Sequence, residues 1–307
     1  MWRLHNRQVY WALGALAVLA VVLVVSGNNM ATEYHSFEAT CAASQNCGNA
    51  STVFSGDQLV INLVDLTLVI PALFGVFWGA PLLAKEFEEG TQNLAWTQGV
   101  TRRKWFSVNL AWVFAAAVLW AGVLTILVSW WRSPENAIES RFNPGHFDIQ
   151  GIVPIAYAIF AVALGVAVGA LVKRVLPAIA ITIGGFVTVR LAIMYWARPH
   201  FIAAITKSYP LGSQAKGLNG AWVISAQNVG PNGTSLGAAF PPPQQCGGAG
   251  KSAAGLQCLG THGYHELLTY QPASRFWAFQ GIEAAIFVAL AVVVVAIAYR
   301  LVLKRDA

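Results

Sequence analysis

The chain has 307 residues, of which 56% are hydrophobic and only 10% are charged. Soluble domains carry roughly 25% charged residues, so this chain has too few charges to cover itself with a polar surface. The composition excludes an ordinary cytosolic enzyme, a disordered protein and a free nucleic-acid-binding protein. Basic residues give a formal charge of +6, but they stand at the ends of apolar segments, where they orient membrane helices. The sequence therefore predicts a polytopic membrane protein that contacts the lipid bilayer and no nucleic acid.

Six apolar segments are long enough to cross a bilayer, which takes about 20 mostly apolar residues in a helix. They predict an all-α fold in a single transmembrane domain, with helices at about 10–26, 59–83, 108–131, 152–172, 176–196 and 280–302. The first segment has an alternative interpretation as a signal peptide, because Arg3 and Arg7 precede it. Its apolar stretch is longer than that of most signal peptides and no small-residue cleavage site follows, so a retained helix is favoured.

The positions of lysine and arginine predict the orientation of the helices. With the N-terminus inside, the cytoplasmic segments contain Arg3, Arg7, Lys85, Arg102, Arg103, Lys104, Lys173, Arg174, Arg300, Lys304 and Arg305. The first outer loop, 27–58, contains none, and the second contains Arg132 and Arg141. The outer segment 197–279 contains several more, but long loops cross the membrane largely regardless of charge. Both termini are therefore expected in the cytoplasm.

All four cysteines fall in predicted outer segments. Cys41 and Cys47 lie in the first outer loop, and Cys246 and Cys258 lie in the last. An even number of cysteines on the outer face is typical of a compartment that permits disulfides. Three connectivities are possible, and the local pairs Cys41–Cys47 and Cys246–Cys258 are favoured because they do not require the two loops to meet. The alternative is that the thiols are unpaired and lie outside by chance.

The predicted cytoplasmic link between the second and third helices, 84–105, has an unusual pattern. An acidic cluster, a glycine, a short amphipathic stretch and three consecutive cations follow one another, in the order Lys85-Glu86-Phe87-Glu88-Glu89-Gly90-Thr91, Trp96, Gln98 and Arg102-Arg103-Lys104. The cations alone have a simpler interpretation, as anchors of a helix end at the lipid headgroups. Carboxylates are unfavourable at an anionic membrane surface, so the acidic cluster favours a basic protein partner.

The run from Pro81 to Trp105 resembles the permease subunits of ABC exporters, in the type-2 transmembrane domain family and in the form of actinobacterial drug and antibiotic exporters. The resemblance extends to the six-helix plan with both termini inside. It implies a bacterial plasma-membrane location, a second copy of the chain and two ATP-binding subunits that carry ATP and magnesium. It also implies that the link contacts the ATP-binding subunit through Lys85, Glu86, Phe87, Glu88, Glu89, Gly90, Thr91, Trp96, Gln98, Arg102 and Arg103. The outer segment 197–279 is unusually long for this family.

Three ionisable residues fall inside predicted membrane helices: Asp65, Arg190 and Glu283. Such residues are by default candidates for function. At 1.5 Å per residue they lie at similar depth in the outer half of the membrane, so two anions and one cation are predicted to share a cluster on the substrate path or at its gate. The alternative is that each side chain reaches separately to the headgroups.

Other patterns predict no catalytic, cofactor or metal site in this chain. His262-Gly-Tyr-His265-Glu266 lacks the spacing of zinc-protease motifs. Gly165 and Gly169 allow close helix packing, and a contact within the subunit is favoured over a dimer seam. Segment 197–279 is expected to form an irregular, disulfide-linked extracellular cap with a short helix. An exporter permease for a lipophilic or amphipathic substrate is the leading hypothesis, and the alternatives are a membrane sensor or scaffold and an intramembrane enzyme.

Overall fold

The computed structural model describes residues 2–44, 53–90, 101–213, 218–236, 246 and 252–303. Six of its helices are long and apolar enough to cross a membrane, which confirms the predicted fold class. They are α1 (Trp2–Ser44), α2 (Ser55–Glu88), α3 (Arg102–Trp131), α6 (Val153–Val172), α7 (Val175–His200) and α9 (Phe276–Leu303). Two short helices, α4 (Glu135–Ile138) and α5 (Pro144–Phe147), lie between α3 and α6, and α8 (Ala253–Thr261) precedes α9.

The chain divides into two compact units, Met1–Ile193 with Gln280–Ala307, and Met194–Phe279. In the first unit, α6 is the most buried of the long helices, since its residues are small or apolar on every side. Helix α2 packs closely against it and is irregular there, with a π-helical turn at Gly75–Gly79. Such turns change the direction of side chains within a helix.

Four glycines allow α2 and α6 to approach at backbone distance. A Cβ atom at Gly165 would lie 2.4 Å from the carbonyl oxygen of Gly75, and one at Gly169 would lie 2.5 Å from the carbonyl oxygen of Ala80. On α2, a Cβ at Gly79 would lie 2.7 Å from the carbonyl oxygen of Val162. The two α6 glycines therefore serve packing within the subunit, as favoured from the sequence.

Helix α1 is longer than predicted. The sequence placed its end near Ser26 and an outer loop at 27–58, whereas the helix continues to Ser44. Gly27 lies inside this helix, and its lack of a side chain allows Trp131 of α3 to pack against it, since a Cβ there would lie 2.9 Å from the Trp131 side chain. Trp131 Nε1 also donates a hydrogen bond of 2.8 Å to Ser26 Oγ. The expected Cys41–Cys47 pair includes Cys47, which lies outside the described residues.

The second unit contains a three-stranded antiparallel sheet, which corrects the expectation of an irregular cap. Its order is β1-β3-β2, with β1 at Ile205–Pro210, β2 at Trp222–Val229 and β3 at His265–Gln271. The register pairs Ile205 with Tyr270 and Trp222 with Gln271. The strands are short and separated in sequence, so their pairing is not apparent from local composition. The predicted disulfide Cys246–Cys258 is present and includes one residue of α8.

Candidate functional site

The described part of the connector exposes charges at the end of α2. Lys85, Glu88 and Glu89 are exposed, and Lys85 Nζ lies 3.8 Å from Glu89 Oε1. Glu86 and Phe87 are half-buried. Gly90 follows with a φ of +68°, a left-handed conformation that glycine adopts readily and that commonly ends helices. The predicted acidic surface is therefore accessible where α2 ends.

Glu88 also connects this end of α2 to the start of α7. Its Oε2 accepts a hydrogen bond of 2.9 Å from the backbone N–H of Val175, the first residue of α7. A carboxylate is favourable at a helix N-terminus, because it satisfies a free N–H group and complements the helix dipole. Lys173 Nζ lies 6.0 Å from the centre of the Phe87 ring. The acidic segment and the turn between α6 and α7 thus form one surface.

The cationic end of the connector begins α3. Thr101 caps this helix, since its Oγ1 accepts a hydrogen bond of 3.4 Å from the backbone N–H of Lys104. Arg102 is the first helical residue, and Arg103 and Lys104 are exposed. The three other residues predicted to contact a partner lie outside the described part of the chain: Thr91, Trp96 and Gln98.

Arg190 lies in a buried polar network between the helices. Its Nη2 is 3.0 Å from Asp148 Oδ2, and its Nη1 donates a hydrogen bond of 2.9 Å to the carbonyl oxygen of Leu68. Tyr157 Oη is 2.5 Å from Glu283 Oε1 and 3.1 Å from Asp148 Oδ1. The network therefore connects α2, α6, α7, α9 and the residue that follows α5.

The structure brings together only part of the predicted cluster. Arg190 and Glu283 are joined through Asp148 and Tyr157 rather than directly. Asp65 does not join them, because its carboxylate pairs with the guanidinium of Arg132. The expectation that Asp65, Arg190 and Glu283 neutralise one another is therefore corrected.

Asp148 is not recognisable as a site residue from the sequence, because it precedes the α6 apolar segment and falls in a predicted outer loop. The structure buries it, since the segment between α5 and α6 packs among the helices. Gln280 of α9 holds this segment: its Oε1 accepts hydrogen bonds from the backbone N–H groups of Ile152 and Val153, at 3.0 and 2.9 Å. Its Nε2 donates to the carbonyl oxygen of Phe147 at 3.0 Å. In the sequence, the only indication of a role for Asp148 is that an acidic residue stands shortly before the start of a helix.

A second polar group lies where α3 meets α4. Arg132 is fully buried, and its Nη1 is 3.0 Å from Glu135 Oε2. His146 of α5 faces Glu135 and Glu139, with its Nε2 3.9 Å from an oxygen of each. Burial raises the pKa of Glu135 while Arg132 opposes that shift, and burial together with Arg132 lowers the pKa of His146. Asp65 shares a pocket of about 200 Å³ with Glu135, Glu139 and His146.

Comparison with known proteins identifies the family but no individual relative. A model of the family described as ABC-2 membrane transporter related matches residues 13–198, more than half of the chain. The match includes most of α1 and continues to residue 198, close to the end of α7, whereas the sheet and α9 follow it. No curated protein and no solved structure matches the chain. The chain therefore belongs to the ABC-2 membrane transporter related family, as a multi-pass transport subunit of the ABC permease type.

Proposed function

We propose that the chain is the permease subunit of an ATP-driven exporter that moves a lipophilic or amphipathic molecule out of the cell, such as a drug, an antibiotic, a lipid or a peptide. The family match over 13–198 is the observation that supports this proposal. It favours a permease over the sensor, scaffold and intramembrane enzyme that the sequence left as alternatives. The proposed location is the bacterial plasma membrane, with both termini in the cytoplasm and 197–279 as the extracellular cap.

ATP hydrolysis belongs, in this proposal, to two separate ATP-binding subunits with their magnesium ions. Six helices form half of a central path, so two copies of the chain make the transporter. The exposed acidic end of α2 is the proposed contact with the ATP-binding subunit. Glu88 at this end accepts a hydrogen bond from the backbone N–H of Val175. This contact supports the role, because a displacement of the connector would be transmitted to α7 as well as to α2.

The buried network is the proposed gate. Arg190 holds α7 to the α5–α6 segment through Asp148 and to α2 through Leu68. If these helices move relative to one another, the contacts of Arg190 with Asp148 and Leu68 must break and be replaced by others. Glu283 adds α9 to the same unit through Tyr157, while Asp65 lines the neighbouring pocket. In the proposed cycle, Asp65, Arg190 and Glu283 therefore lie on or beside the substrate path, although they do not form one cluster.

The docking surface is tested by charge reversal and co-purification. The chain is expressed with a candidate ATP-binding subunit from its genomic neighbourhood, either unchanged or with Glu86, Glu88 and Glu89 all changed to Lys. We expect the variant to insert normally but to recover much less ATP-binding subunit. Glu89→Lys alone separates docking from helix packing, since Glu89 is exposed and its only described ion pair is with Lys85.

The matched control is reversal of Glu33 and Glu38, two exposed carboxylates near the other end of the bundle, on α1. This control should leave recovery of the ATP-binding subunit unchanged. If the connector variants recover the subunit as well as the unchanged chain does, and ATP turnover is normal, the connector is not the docking surface.

A further inference from the structure

We propose that Glu135, Glu139 and His146 bind a divalent transition-metal ion of the Zn²⁺ type at the wall of the pocket beside α4. The site is separate from the proposed docking surface, and it shares its pocket with Asp65, which the proposed function places on or beside the substrate path. One nitrogen and two carboxylate oxygens would supply three protein ligands, and the pocket would leave a further coordination position open.

The geometry of the three side chains supports the proposal. Their ligand atoms all lie within 4.8 Å of one another. His146 Nε2 is 3.9 Å from Glu135 Oε1 and 3.9 Å from Glu139 Oε2. Zinc binds nitrogen and oxygen at about 2.0–2.2 Å in a tetrahedron, which places neighbouring ligand atoms about 3.4 Å apart. To reach that spacing, each distance from His146 Nε2 would shorten by about 0.5 Å. The distance between the two carboxylate oxygens would shorten by no more than about 1.4 Å.

Unsatisfied polar atoms provide a second, independent observation. The Glu135 side chain is only 7% exposed, and its Oε2 is ion-paired with Arg132 Nη1 at 3.0 Å. Its Oε1 instead faces His146 Nε2 at 3.9 Å and makes no hydrogen bond among the described residues. The buried Nδ1 of His146 also makes no hydrogen bond, and its Nε2 lies too far from both carboxylates to donate one. Buried polar groups are normally hydrogen-bonded or bound to a metal. Oε1 of Glu135 and Nε2 of His146 face each other across the gap that an ion would occupy.

The charges and ligand types indicate which ion is bound. Three carboxylates line the pocket, those of Asp65, Glu135 and Glu139, and the single guanidinium of Arg132 contacts two of them. This excess of negative charge favours a cation. An imidazole ligand favours zinc or a similar transition metal over Mg²⁺ and Ca²⁺, which prefer oxygen alone.

The proposal is tested on the purified full-length chain in detergent, stripped of metal with a chelator and titrated with zinc chloride in a calorimeter. We expect saturable binding of one Zn²⁺ per chain at this site. His146→Ala and Glu139→Gln should each weaken binding at least about tenfold, since even residues that only support a ligand contribute 10–100-fold. Co²⁺ should give visible absorption bands that the same variants abolish.

Two histidines provide matched controls. His35 lies 3.7 Å from Glu38 on exposed α1, and His262 adjoins the two disulfide-bonded sulfurs of Cys246 and Cys258. His35→Ala and His262→Ala should leave zinc affinity unchanged. Because Glu139 is half exposed, Glu139→Gln tests the site even if His146→Ala fails to fold. No saturable binding, or equal binding by the Glu139→Gln variant and the unchanged chain, would overturn the proposal.

Discussion

The pair formed by Arg190 and Asp148 yields the sharpest prediction. Their side chains are 10% and 2% exposed and lie 3.0 Å apart. Breaking a buried ion pair by removing one partner typically costs about 3–5 kcal/mol, because a charge remains buried without compensation. Arg190→Met should therefore lower the free energy of unfolding by about 3–5 kcal/mol, and Asp148→Asn should have a similar effect.

The double variant distinguishes pairing from unrelated damage. Once Arg190 is replaced by Met, the Asp148→Asn change removes the charge that lacks a partner, so the second change should cost far less than it does alone. The losses should fall short of additivity by about 2 kcal/mol, within the range measured for contacting residues. Titration of the purified chain with a denaturing detergent measures this, since 12 tryptophans supply a fluorescence signal.

Asp65 is the matched control for this cycle. It is also acidic and lies three positions before Leu68, whose carbonyl oxygen accepts a hydrogen bond from Arg190, but its carboxylate contacts Arg132 instead of Arg190. The coupling of Arg190→Met with Asp65→Asn should therefore be clearly weaker than its coupling with Asp148→Asn. Two outcomes would refute the assignment of Asp148 as the partner of Arg190. One is that the stability losses of Arg190→Met and Asp148→Asn are additive, and the other is that Arg190→Met couples more strongly with Asp65→Asn. Transport by the reconstituted complex then shows whether the pair also acts in gating.

Two further predictions concern packing and the disulfide. Gly165→Ala should destabilise the first unit by about 1–3 kcal/mol, as overpacking usually does, because the new Cβ would lie 2.4 Å from a backbone oxygen of α2. The control is Gly184→Ala, because no atom lies within 4 Å of the position of its Cβ. In the same unfolding assay this control should be neutral or stabilising. Cys246→Ser with Cys258→Ser opens a loop with a sequence separation of 12 and should destabilise the second unit by about 3 kcal/mol, measured as faster proteolysis within 194–279. Equal effects of the two glycine changes, or unchanged proteolysis, would contradict these expectations.

The transmembrane architecture was predictable because it depends on local composition. About 20 consecutive apolar residues must form a helix in lipid, where every backbone polar group needs an internal partner. Two further features were predictable because they also depend on residues that are near in sequence. They are the disulfide between Cys246 and Cys258 and the packing role of Gly165 and Gly169. The start of α2 and the extension of α1 to Ser44 were less predictable, because polar residues beyond a span can continue a helix when neighbours pack against it.

Tertiary structure alone decided which partners Arg190 and Asp65 contact. Arg190 and Asp148 are 42 positions apart, and Asp65 and Arg132 are 67 apart, so no periodicity relates them. Equal depth in the membrane was compatible with a contact between Asp65 and Arg190, but depth does not specify which faces of the helices meet. Glu135, Glu139 and His146 likewise have no metal-binding spacing and converge only because α4 and α5 fold against each other. Hydropathy is a property of neighbouring residues, whereas an ion pair or a metal site requires distant segments to pack at a particular angle, and that angle is set by the whole bundle.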